Sequence, residues 1–329
     1  MPQVKKPKYH LYPLQGKKMI REVRKQDKSL RKMSDEDLSR MLHEHLAKND
    51  ESSDGFNVHC DEYFWERSGK QHIIIPDTET IDGLLRGKYD IDAVDYQLMP
   101  FESFTMVLPA DFRVAGLSPS GVMVTSLAAE DVMDRLLTPF TRHLHMDNVD
   151  YRVEHPKDTF AISLNYTIQG TPWVSRQCIN SNMIGQLLAC KTSDEYQAAI
   201  GHLPGAEIDV NSQLDHQDRE LAFVLTKLAF ALAVYLRCKP EVLKEGFPKT
   251  GIKAVQGDMH LAKHDNTHVF NMEKAYRSAP SAHHRAWFIR TLRHEKYYKG
   301  TFADWPRGSR TTFVDEATIS SGSGVTHIA

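Results

Sequence analysis

Cysteine is scarce in this chain: four in 329 residues, Cys60, Cys178, Cys190 and Cys238, with no CxxC spacing among them. That rules against a disulfide-stapled scaffold and fits a reducing cytoplasm. The N-terminal stretch KKPKYHLYPLQGKKMIREVRK has the charges of a signal peptide but lacks its apolar core, so export is not expected. The most hydrophobic run, Leu221 to Leu236, is too short for a bilayer and carries Lys227 in its middle; it reads as a buried helix. The common enzyme signatures are missing too: there is no P-loop, no GxGxxG after a strand, no GxSxG and no HExxH. No internal repeat or long linker divides the chain, which favours one composite domain.

Net charge is also low, at −2, but it is unevenly spread. Residues 1–32 hold eleven Lys or Arg against Glu22 and Asp27, and residues 283–310 hold seven against Glu295 and Asp304. The remainder is acidic. Two basic islands on an acidic body favour an oriented encounter with an anionic partner, although a solvated helix gives the same composition. With 41% hydrophobic and 26% charged residues, the whole is a soluble globular protein.

Local patterning predicts an α+β fold. Residues 17–32 are helix-prone but mostly charged, anchored by Met19, Ile20, Val23 and Leu30, and suit a mobile or partner-docking helix. Ser34 with Asp37 forms an acidic capping box for a helix over 34–48, followed by a polar loop, NDESSDG. From 57 to 168 strands dominate: His72–Ile75, Phe104–Leu108, Val122–Thr125 and, most clearly, Thr159–Ile168. In that last strand Phe160, Ile162, Leu164, Tyr166 and Ile168 alternate with small polar residues, predicting one core face and one wet or lightly covered face. Tyr151–Glu154 would pair with it as a hairpin, and Leu127–Leu137 reads as a helix packed on the sheet. Residues 181–245 read as helical, with an apolar central helix over 216–238. The connection 246–282 has little periodicity, and Thr311–Phe313 looks like a last strand.

Chemistry-bearing residues concentrate in HHRAWFIRTLRHEKYYKGTFADWPRGSR, residues 283–310. Lysines and arginines attract phosphate at long range, and aromatic or guanidinium faces stack on bases. The candidate binding residues are His284, Arg285, Trp287, Arg290, Arg293, His294, Lys296, Tyr297, Tyr298, Lys299, Arg307 and Arg310. An equally concrete structural role has Trp287, Phe288, Tyr297, Phe302 and Trp305 anchoring the subdomain while the arginines reach solvent around them. A nuclease version would use His283, His284 or His294 as acid and base, with Arg285, Arg290 or Arg293 steadying the phosphorane. Two weaker metal-like patterns are HxHxD at His143, His145 and Asp147, which lacks the final His of the HxHxDH signature, and His260, His264 and His268 at helical spacing.

The C-terminal block, with His284, Arg285 and Trp287 followed by the basic turn Pro306, Arg307, Gly308, Arg310 and an apolar strand, resembles the type V-A anti-CRISPR family that lowers the CRISPR nuclease at its transcript and nascent chain. YDIDAVDYQLMPFESFTMVLP is similar to that family's short helix leading through a Pro-aromatic turn to a strand, and LTKLAFALAVYLRCKPEV sits where the family has an apolar helix. The family's His-Arg-x-x-His-Trp spacing is not reproduced here. The resemblance implies a phage or mobile-element protein with a target in host defence.

The sequence therefore predicts one composite α+β domain with a mixed or antiparallel sheet, a central buried helix and a basic C-terminal subdomain. Its expected parts are a basic N-terminal arm (1–33), a body (34–282), the His/Arg/aromatic subdomain (283–316) and a flexible tail (317–329). The expected function is cytoplasmic binding of RNA or a ribonucleoprotein, including a nascent polypeptide, with no cofactor, metal or membrane. The rival expectations are a small ribonuclease or metal-dependent hydrolase, and a phage structural or assembly protein.

Overall fold

The alternating strand at residues 159–168 lies inside a mixed sheet that organises the molecule. The computed structural model describes residues 8–34, 37–38, 41, 54–91, 99–128, 131–132, 135, 159–200, 216–248, 252–254, 265–272, 283–285, 287–314 and 317–319. In chain order the first half contains β1 (Lys8–His10), α1 (Gln15–Gln26), α2 (Asp54–Arg67), β2 (Gln71–Ile74), α3 (Thr78–Arg86), β3 (Lys88–Asp90), β4 (Ser103–Pro109) and β5 (Val122–Ala128). There follow β6 (Thr159–Ile168), β7 (Thr171–Asn180), α4 (Met183–Ala189), α5 (Ser193–Ile200) and α6 (His216–Cys238). The C-terminal part adds β8 (Leu243–Glu245), β9 (Lys253–Ala254), β10 (Asn266–Phe270), β11 (His283–Arg285), β12 (Phe288–Thr291), β13 (Thr311–Val314) and β14 (Ala317–Ile319).

The fold is α+β. Its main sheet runs β7-β6-β5-β4-β2-β10-β8, and β1 pairs with β4 beyond the point where β5 leaves it. β2 is parallel to both β4 and β10, and the other pairs along this path are antiparallel. Two small sheets complete the chain: β13-β12-β3, and β11 with β14.

Strand alternation sorts the sheet's two faces. Ile73, Met106, Val124, Ile162 and Leu164 point to the main core, where they meet α6. That helix is buried continuously from Leu221 to Leu236 except Val224 and packs on α3, α4, α5 and β13, which is why its apolar residues go nearly all the way round. By length and composition α6 is apolar enough to cross a membrane, since the helix extends beyond its apolar run, but 83% of that window is buried within the fold. On the opposite face Ile74, Val107 and Met123 meet Trp65 of α2 and Tyr9, Leu11 and Tyr12 of the N-terminal segment.

Several expectations change. The face of β6 expected to be wet or lightly covered is buried at Ser163, Asn165 and Thr167. The cover includes α2, which begins within the NDESSDG stretch expected to be a loop and places Asp61 against Ser163 and Asn165. β6 forms its hairpin with β7, and its other neighbour is β5. Leu127 and Ala128 extend β5 instead of starting a helix. The supposedly irregular 246–282 connection contributes β10, inserted between β2 and β8. Ala317–Ile319, placed in the flexible tail, pairs with His283–Arg285. Tyr151–Glu154, the HxHxD string, His260, His264 and most of the helix expected over 34–48 lie outside the described residues.

The N-terminal basic segment is docked. Ile20 and Leu38 are buried together, with Met19, Val23, Leu30 and Met33 packed around them, so the few apolar residues of α1 are spent on one inward stripe. Lys17, Lys18, Arg21 and Lys25 remain on the exposed side.

Candidate functional site

The C-terminal block is built on β12, whose Phe288, Ile289 and Thr291 are buried while Arg290 is exposed. Period-two alternation puts Ile289 and Thr291 on one face and Phe288 and Arg290 on the other, where Phe288 is covered and Arg290 is not. β12 pairs in parallel with β3, about two hundred residues away in sequence, and antiparallel with β13. The block is therefore tied into the body of the protein through β3.

Trp287 faces inward. Its ring stacks on Phe313 at 5.4 Å and meets Tyr235 of α6 and Tyr89 of β3 edge-on at 5.3 and 5.8 Å. Gly87 permits this approach: a Cβ there would lie 2.2 Å from the indole. Tyr298 is also buried, and its hydroxyl donates to the Leu292 carbonyl while accepting from the backbone N–H groups of Gly308 and Arg310. One phenol closes the loop between the end of β12 and β13.

Other candidates are held by partners within the block or on β3. Arg293 forms a forked pair with Asp90, at 2.9 and 3.3 Å. The Arg293 hydrogen bond is the main reason the Asp90 carboxyl sits below its ordinary range. Arg307 pairs with Glu295 at 2.9 Å, and Arg310 lies 3.5 Å over the Phe302 ring while donating to the Tyr297 carbonyl. His294 caps the turn that follows it by accepting from the Lys296 N–H at 3.1 Å, and Lys296 lies over the Tyr297 ring at 4.9 Å. For His284 and Arg285 the backbone is described, in β11.

What remains outward is a smaller set. Arg290, Lys296 and Lys299 are exposed and form no ion pair among the described residues. Trp305 is 49% exposed, with Phe302 meeting its ring at 5.5 Å. Exposed cations and a half-exposed indole within one block are suited to phosphate contact and stacking.

Comparison with protein-family models, with curated proteins and with solved structures gave no match.

A second concentration of polar groups, which sequence reasoning missed, lies between α2 and the sheet. Asp61 is fully buried and accepts from Ser163 Oγ at 2.6 Å, Asn165 Nδ2 at 2.8 Å and Arg176 at 3.3 Å. Next to it in sequence, Glu62 accepts from Tyr12 Oη and from the backbone N–H groups of Gln15 and Gly16, at 2.9, 2.6 and 2.7 Å. Those two amides open α1, so a buried carboxylate stands at the helix's positive end. Desolvation outweighs these hydrogen bonds and raises the Glu62 pKa to about 7. The HCDE string at His59–Glu62 was the available signal, since four polar or reactive residues in a row on a helix require burial of some.

Further along the same face His72 is completely buried, with Nδ1 2.6 Å from Thr105 Oγ1 and Nε2 3.3 Å from Asp265 Oδ2. Burial lowers its pKa to about 4, against the opposing pull of Asp265. A neutral ring between these partners donates from Nε2 and accepts the Thr105 hydroxyl at Nδ1. The connectivity is that of a hydroxyl–His–carboxylate triad, yet Thr105 and His72 are both 0% exposed. No substrate reaches that hydroxyl; the relay clamps the parallel strands β4, β2 and the start of β10. His268 lies in β10, not on a helix, and contacts Gln71 Oε1 at 2.9 Å. Among the described residues no group of three or more His, Cys, Asp or Glu is placed to hold a metal ion.

Proposed function

We propose that this protein is a regulatory binding protein of phage or mobile-element type, which engages RNA or a ribonucleoprotein in the host cytoplasm and restrains a defence gene. The observation that carries the binding part is the outward set of the C-terminal block: the exposed Arg290, Lys296 and Lys299, which form no ion pair among the described residues, and the half-exposed Trp305. Phosphates would neutralise the cations, and a base would stack on the indole. Trp287 and Tyr298 hold this surface in shape and do not contact the partner. The link to host defence rests on the resemblance of the C-terminal block to the type V-A anti-CRISPR family.

Crosslinking in host cells, followed by sequencing of both bound RNA and bound peptides, tests this. Enrichment of particular transcripts, or of ribosomal RNA with nascent peptides, supports the proposal. Recovery of virion proteins alone would replace it with an assembly role, and cleavage of labelled RNA by the purified protein would replace it with a nuclease.

A further inference from the structure

At the C-terminal end of α2, the surface opens into a cavity of about 550 Å³, lined by Tyr63, Phe64, Arg67, Phe101, Glu102 and Arg135 among others. Its volume falls in the range of small-molecule sites. Each lining group is held by a neighbour. Phe101 rests against Phe104 and His268, with ring centroids 6.3 and 5.0 Å apart. Arg135 forks onto both oxygens of Glu102 at 2.6 and 2.7 Å and lies 5.7 Å from the Phe64 ring centre. The Glu102 hydrogen bonds are the main cause that raises the Arg135 pKa, and Arg135 also lies 3.7 Å from Asp131, so that wall is mildly acidic and the positive charge of the cavity rests on Arg67.

Arg67 differs. It is exposed and reaches across one helical turn to donate to Tyr63 Oη at 2.8 Å, which positions the guanidinium and leaves its other N–H donors to solvent. Its neighbour Glu66 is engaged by Lys17 and Lys70. The cavity thus offers aromatic walls, a carboxylate with lone pairs beyond those used by Arg135, and one positioned cation.

We propose that this cavity is a purine nucleotide site, with the base stacked along the aromatic wall, its N–H edge toward Glu102 and its phosphate on Arg67. A flat ring meets the aromatic wall, N–H donors meet a carboxylate acceptor, and an anion meets the guanidinium. A purine presents the larger face for stacking. This site shares no residue with the 283–310 block and stands independently of the reading given for it.

The test is calorimetric titration of the full-length protein with GMP, AMP, UMP, ribose 5-phosphate and inorganic phosphate. Purine nucleotides should bind at least tenfold more tightly than ribose 5-phosphate or phosphate, and Arg67→Glu should lose tenfold or more with an unchanged unfolding midpoint. Tyr63→Phe, which frees Arg67 from its tether while keeping the ring, should weaken purine binding by a smaller factor. The Arg290→Glu/Lys299→Glu double variant should bind nucleotide as the parent does, separating this site from the C-terminal surface. No binding at millimolar nucleotide, equal binding by Arg67→Glu, or phosphate binding as tight as GMP would each overturn the assignment.

Discussion

Trp287 separates packing from recognition within the block. Its contacts with Tyr89, Tyr235 and Phe313 make Trp287→Ala a core truncation, expected to cost about 3–5 kcal/mol in urea unfolding. Gly87→Ala places a methyl against the same indole and should destabilise by about 1–3 kcal/mol. Arg290→Glu should instead change stability by no more than about 1 kcal/mol, because its side chain is exposed and its interaction with Asp90 is screened by solvent. A Trp287→Ala protein as stable as the parent would show that the indole is not an anchor. The composition of the block displayed its cations and aromatic rings together; it did not show which face inward. That division depends on β3 and Gly87, far away in sequence.

At the scale of elements, legibility followed the purity of the pattern. α6 and β6 were plain because one is apolar nearly all round and the other alternates cleanly. α2 was not, because it buries His59, Asp61 and Glu62 alongside Cys60 and Trp65, leaving no simple apolar stripe. β10, five residues of mixed character, has no local signal and is held by β2 and β8 on either side. The buried carboxylate of α2 also fixes α1. Glu62→Ala would strand the Tyr12 hydroxyl and the Gln15 and Gly16 amides, each buried donor costing about 1–3 kcal/mol. Hydrogen exchange should then accelerate in α1 before it does in α6; unchanged protection of α1 would contradict the tether.

Across the whole molecule, two buried groups set opposite pH dependences. Glu62, raised from 4.5 to about 7, is harder to ionise in the folded state, so its contribution to stability is full below about pH 4.5 and falls as pH rises to about 7. His72, lowered from 6.5 to about 4, is harder to protonate when folded, so its contribution is full above about 6.5 and is lost as pH falls toward 4. Between roughly pH 4.5 and 6.5 the slopes oppose each other. The stability of the parent relative to Glu62→Gln should therefore fall by roughly 3 kcal/mol from pH 4.5 to 7, at about 1.4 kcal/mol per pKa unit. A difference independent of pH would show that Glu62 titrates normally.

The two basic islands lie on opposite ends of the chain but both are mounted on the one α+β body, through Glu62 for α1 and through β3 for the C-terminal block. Charge patterning in the sequence located these islands; it could not show that ion pairs with Asp90 and Glu295 occupy part of the second one. The most direct test of the proposed binding surface is the salt dependence of RNA affinity, measured on the parent and on the folded Arg290→Glu/Lys299→Glu variant. The parent should lose affinity linearly in log–log form with added salt, and the variant should show a slope shallower by at least about 1.4, as expected for two lost contacts to a single strand. Absence of RNA affinity at low salt, or identical slopes for the two proteins, would contradict the assignment of this surface to RNA.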